Sequence, residues 1–274
     1  MRAVLPYLLV LAVALVGCGT DEEASPREAV GAASPVEDRR ESATEQSTGE
    51  QATAGNVFQT LPPGSPLPSE QECAARVRRV DWEPRPENRA ENHTTPTGLN
   101  LPDYSADFLP AWQTGYKTRI TGNFTGTTDE IIQWAACKWG LEVDVLRAQA
   151  VEESDWRMSE EGDLEPSSKG VCVAGDARDP CPTSFGILQV KWYFNPGSYP
   201  LVIESSAFHL DFAGAKLRGC FDGLKHIGEG YPPGDLWGCL GNWWSGGWGD
   251  EGARRYLDRV RAAYEEKPWR EWLG

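Results

Sequence analysis

Ala148-Gln149-Ala150-Val151-Glu152-Glu153-Ser154-Asp155-Trp156 closes an apolar run with two adjacent carboxylates. The run reads as a helix from about Asp144, taken as N-cap, to Ser154. Its apolar residues fall nearly all round, with Arg147 the clear exception, which predicts a buried helix. Carboxylates at the end of such a helix are costly unless protonated, paired or functional. Desolvation and the negative end of the helix dipole both raise their pKa. A carboxyl group kept neutral near pH 7 is what a general acid requires. Helix periodicity alone does not choose between Glu152 and Glu153, and the bland reading has either pointing to solvent as the helix ends.

Working outward, Thr127-Thr128-Asp129-Glu130 fits a capping box opening a helix that Gly140 stops. Ser206 to Cys220 carries Leu210, Ala213, Leu217 and Cys220 at helical spacing, and Gly252 to Tyr264 carries Tyr256, Val260 and Tyr264. No strand alternation stands out, so the expected class is mainly α. Residues 71–126, rich in Pro, Asn and Gly, read as an irregular wrap before a helical domain over 127–274. Trp237, Trp243, Trp244 and Trp248 sit in a Gly-rich segment and suit either stacking on sugar rings or core packing beside Cys239. His93, His209 and His226 are scattered and read as structural or exposed.

Glu153-Ser154 after an apolar helix, followed by Ser184-Phe185-Gly186-Ile187-Leu188-Gln189-Val190, resembles the two leading motifs of the soluble-lytic-transglycosylase domain family. That family is lysozyme-like and related to goose-type lysozyme. Trp243-Trp244-Ser245-Gly246 and then Tyr256 correspond loosely to its third motif, and the likeness runs from about Thr127 to Val260. The resemblance implies a lysozyme-like helical domain with Glu153 as catalytic acid/base. Gln189, Tyr256, Gly186, Ser184 and Trp244 would be substrate-binding, with Gly186 letting backbone approach the cleft. Three departures stand out: Trp244 or Ser245 where the family has Asn, a long Ser154–Gly186 stretch, and residues 71–126, which match nothing in the family.

The implied reaction cleaves the β-1,4 bond of peptidoglycan between N-acetylmuramic acid and N-acetylglucosamine. Glu153 would protonate the leaving oxygen, the N-acetyl group would assist, and the C6 hydroxyl would close a 1,6-anhydro ring. A hydrolytic lysozyme is the near rival and needs a second carboxylate about 6.5–9.5 Å away if it inverts. Asp155, Asp176, Asp179 and Asp211 are the candidates. A non-catalytic glycan-binding lipoprotein is the rival from another class.

Arg2 and the 14 apolar-rich residues Ala3–Val16 read as a secretory signal, too short to span a bilayer. Leu15-Val16-Gly17-Cys18 looks like a bacterial lipobox, which implies residues 1–17 as signal peptide and Cys18 as the lipidated N-terminus. Residues 18–70 are Ala, Glu, Ser, Thr, Gly and Pro in the main, with ten acids against three Arg over 21–70, and read as a disordered tether. The remaining six cysteines of an exported chain imply three disulfides. Cys172–Cys181 is the first expectation, then Cys220–Cys239, with Cys73–Cys137 by elimination. The expected location is outside the cytoplasm, anchored to a bacterial membrane.

Lys and Arg total 26 against 41 Asp and Glu, a net charge of −15, which argues against nucleic acid as partner. Three His and no Cys/His run of zinc spacing argue against a metal, and the lack of a phosphate-cradling glycine loop argues against a nucleotide. No cofactor is expected. The expected partners are glycan strands and, through Cys18, a membrane, with the protein as a monomer.

Overall fold

A computed structural model describes residues 58–227 and 231–273. The expected signal peptide, Cys18 and the tether up to residue 57 lie outside the described residues. The body is mainly helical, and its centre is α7 (Ser206–Phe221), every residue of which is buried. Four of these buried residues are charged or titratable, and each is answered by a fixed partner, as buried polar groups must be. Asp211 accepts from the amides of Thr121 and Gly122, from Lys138 Nζ at 2.7 Å and from Trp139 Nε1 at 2.8 Å. Arg218 pairs with Asp222 and donates to the carbonyls of Leu61, Pro62 and Gly140.

Those carbonyl contacts correct the expected tether boundary. Residues 58–70 pack on the body instead of trailing from it, with the Leu61 amide bonded to Gly140 O at 3.0 Å. They also cap the next helix. α4 (Thr128–Lys138) opens with the expected capping box of Thr127 and Glu130. α5 (Val143–Ser154) has no side-chain cap, and Asp144 is not its N-cap. Its first amides go instead to the far chain: Val143 N–H to Phe58 O and Glu142 N–H to Thr60 Oγ1. Asp144 is left to pair with Arg147 and Lys267.

The wrap before α4 is more structured than its composition suggests. It holds α1 (Glu70–Arg76), capped by Ser69 and Glu72, with the short helices α2 (Arg89–Asn92) and α3 (Pro110–Gly115). α5 lies against α4 and α9 (Glu251–Glu266), α7 against α4 and α8 (Leu236–Ser245), and α8 against α9. α6 (Leu201–Glu204) leads into α7, and α10 (Trp269–Trp272) ends the described chain. α8 makes a regular helix of the Gly-rich segment that carries Trp237, Trp243 and Trp244. Its glycines serve close packing: a Cβ on Gly238 would fall 1.6 Å from Trp248. Asp235 caps it by accepting from the Gly238 amide.

Three two-residue strands form an antiparallel sheet in the order β1 (Glu161–Gly162), β2 (Ser184–Phe185), β3 (Val190–Lys191). Alternation cannot announce strands this short. Disulfides join Cys73–Cys137, Cys172–Cys181 and Cys220–Cys239, the pairings expected from the sequence. The first ties α1 to α4, the last ties α7 to α8, and the middle one closes the loop before β2. Among the described residues no helix is long and apolar enough to cross a membrane.

Candidate active site

The end of α5 opens onto a cleft of about 750 Å³ walled by the sheet, the end of the 192–195 turn, and the end of α8. Two residues fix that end. Ser154 donates its hydroxyl proton to Ile187 O at 2.9 Å, tying α5 to the 186–189 turn. Asp155 and Trp156 then both take left-handed backbone, φ 51° and 67°. For a bulky residue such as Trp this is a strained conformation. Trp156 is held in it by burial against Trp269 and Trp272 and by its Nε1 bond to Arg147 O.

The two adjacent carboxylates part here. Glu152 pairs with Arg259 of α9. Glu153 sits partly exposed on the cleft floor, where Tyr256 Oη donates to its Oε1 at 2.7 Å. Its carboxyl is pushed up to about 8, first by desolvation and then by the negative charges of Glu152 and Asp163; the Tyr256 bond and Arg259 pull the other way. Tyr256 is fully buried, and its hydroxyl is held protonated by burial and by Glu153. Trp244 of α8 stacks on the Tyr256 ring, centroids 5.1 Å apart, and stays half exposed at the rim. On another stretch of the lining Phe194 is 62 % exposed.

Gln189 also lines the cleft, in left-handed backbone, with its amide NH₂ donating to the carbonyls of Glu160 and Gly186. Behind it stands His209, fully buried. Its Nε2 accepts from the Leu188 amide at 2.8 Å and its Nδ1 faces Val202 O at 2.9 Å. That pairing makes Nδ1 the protonated nitrogen, and burial pushes the imidazole down to about 4, so it is a neutral prop for the turn.

Gly186 corrects its expected role. It does not line the cleft; its φ is +74°, and a Cβ would lie 2.7 Å from the His209 ring. The glycine is needed for packing behind the turn. Ser184 does line the cleft, buried, with its hydroxyl on Asp163 Oδ2 at 2.5 Å. Of the four tryptophans, Trp243 and Trp244 reach the cleft; Trp237 packs on Tyr264 and Trp248 on Tyr231.

The four aspartates named as a second carboxylate are all elsewhere. Asp155 pairs with Arg157 and Asp176 with Arg178, Asp179 caps Ser167, and Asp211 is buried beside Lys138. The aspartate whose charge reaches Glu153 in the same cleft is Asp163, held by Ser184 and by Lys191 Nζ at 3.2 Å. Sequence reasoning missed it, together with Asn195, Lys216, Lys225 and Asn242, which line the same cleft. None of them carries a local signal; they meet only through the fold. No three His, Cys, Asp or Glu side chains gather to hold a metal among the described residues.

The arrangement can hold a neutral carboxyl beside a buried phenol, in an open groove with exposed aromatic edges. The chain matches no family model, no curated protein and no solved structure.

Proposed function

We propose that this protein is a lysozyme-like peptidoglycan lytic transglycosylase, lipid-anchored outside the cytoplasm through Cys18 and acting as a monomer on glycan strands. The observation that carries the reading is the unequal treatment of two neighbouring carboxylates. Glu152 is neutralised by Arg259, while Glu153 faces the cleft with its proton favoured to about pH 8. Environments that separate titratable groups in this way mark acid and base assignments.

Glu153 donates its proton to the glycosidic oxygen as the bond to the anomeric carbon breaks. The substrate's N-acetyl oxygen stabilises that carbon. Glu153, now ionised, takes the proton of the sugar's C6 hydroxyl, whose oxygen closes the 1,6-anhydro ring. Tyr256 orients the carboxyl and stabilises its charged form between the two steps. Trp244 and Phe194 offer apolar faces to sugar rings.

A hydrolytic lysozyme of the same fold is favoured by one observation: Asp163 shares the cleft with Glu153 and is positioned by Ser184 and Lys191. It would serve as the base that activates water. Digestion of purified peptidoglycan followed by muropeptide analysis decides the matter. Anhydro ends support the transglycosylase, reducing ends support the hydrolase, and intact strands that nonetheless bind the protein leave a glycan-binding lipoprotein.

A further inference from the structure

We propose that the cleft contains a second, cationic subsite, made by Lys216 and Lys225, that takes a carboxylate carried by the bound glycan; this rests on reading the cleft as a glycan site. Lys216 projects from α7 and is only 8 % exposed, yet it lines the cleft. Its ammonium faces Asn195 Oδ1, and that of Lys225 faces Asn242 Oδ1. The other buried cations of the body have carboxylates: Lys138 has Asp211, Arg218 has Asp222, and Arg147 has Asp129. Among the described residues, neither Lys216 nor Lys225 has a carboxylate within 4.0 Å.

The rings of Tyr104, Phe108 and Phe212 close round the Lys216 ammonium at 5.1, 5.4 and 5.6 Å, which excludes water from its inner side. Burial pushes Lys216 down to about 7, and repulsion from Lys225 adds to that; Lys225 is lowered by burial as well. Among the described residues, two cations held near each other with amide oxygens as their only hydrogen-bond acceptors make a site that favours an anion. Asp107 and His226 also line this end, and Asp107 attracts both lysines from beyond pairing distance. At this end of the cleft, apart from the end lined by Glu152, Glu153, Glu160 and Asp163, two ammoniums face one aspartate among the described residues, so a bound carboxylate both holds Lys216 protonated and balances the remaining positive charge. A phosphate dianion would bring excess negative charge towards Asp107.

The test uses the full chain carrying Glu153→Gln, so that bound glycan is not consumed. The probes are an alternating N-acetylglucosamine–N-acetylmuramic acid tetrasaccharide and its methyl ester, titrated by calorimetry. The free acid should bind about tenfold more tightly than the ester, as expected for a charge-assisted contact in a partly dry site. Lys216→Met and Lys225→Gln should each bring that ratio towards one, while affinity for the ester stays within about twofold. Lys225→Gln, at a less buried position than Lys216, serves if Lys216→Met does not fold. Equal binding of acid and ester, or a ratio unchanged by both substitutions, would overturn the subsite.

Acetate and inorganic phosphate, followed through the side-chain amides of Asn195 and Asn242 by NMR, test it without any glycan. Saturable acetate shifts that vanish in the lysine variants support the subsite even if neither sugar binds, in which case the glycan reading falls alone. Stronger response to phosphate than to acetate overturns the carboxylate assignment.

Discussion

Holding the Glu153 carboxyl neutral destabilises the fold, and Glu153→Gln should relieve that cost in a pH-dependent way. The ordinary carboxyl value of 4.5 is raised to about 8 in the folded protein. Below about pH 4.5 both folded and unfolded chains hold the proton, and the residue makes no difference. Between 4.5 and 8 the unfolded chain releases a proton that the folded chain keeps, so stability falls by about 1.4 kcal/mol per pH unit. Above 8 the loss is complete. The full gap corresponds to about 5 kcal/mol, and water at the open edge of the cleft reduces it to about 2–5 kcal/mol. Gln keeps the shape and can still accept from Tyr256 Oη, so the substitution removes the titration and little else. Urea unfolding followed by tryptophan fluorescence should find the variant within about 1 kcal/mol of wild type at pH 4.5 and more stable by about 2–5 kcal/mol at pH 8.5. A stability difference that is the same at both pH values would refute the desolvated neutral carboxyl, and with it the physical ground for calling Glu153 an acid.

In turnover assays on purified peptidoglycan, Glu153→Gln should lose on the order of 10⁴-fold or more, and Glu152→Gln far less, with circular dichroism confirming that both are folded. Tyr256→Phe removes a bond that favours the charged carboxylate, worth about 1.5–3 kcal/mol. The alkaline limb of the pH–rate profile, where the acid loses its proton, should therefore move up by about 1–2 pH units and not down. Ser154→Ala should cost about 1–3 kcal/mol in denaturant titration by freeing Ile187 O, and should lower kcat through displacement of the 186–189 turn. Thiol titration of the denatured, unreduced chain should find none of the six body cysteines free, and breaking Cys73–Cys137, which closes the longest loop, should cost about 4 kcal/mol in the chain-entropy account.

Much of this molecule was legible without coordinates. The helical class could be read along the chain, because α4, α7 and α9 each have a capping side chain immediately before them and apolar spacing within them. The sequence by itself made the disulfide pairing a fair expectation, since each of the six body cysteines joins its neighbour along the chain in three successive loops. It narrowed the chemistry to two carboxylates at the end of a buried helix. Local periodicity could go no further, because Glu152 and Glu153 differ by one helical step and the difference lies in what another helix brings to each. Arg259 and Tyr256, both on α9 and more than 100 residues away, made that choice. Tertiary structure likewise decided that residues 58–70 belong to the body, since only distant partners, Arg218 and the first amides of α5, give that polar stretch its bonds. It turned Gly186 from a cleft residue into a packing one through His209, and it gathered Asp163, Lys216, Lys225 and Asn242 around one groove. Caps and periodicity act over a few residues and can be read along the chain, whereas a cleft is a coincidence of surfaces from separate elements, and its electrostatics exist only once those surfaces have met.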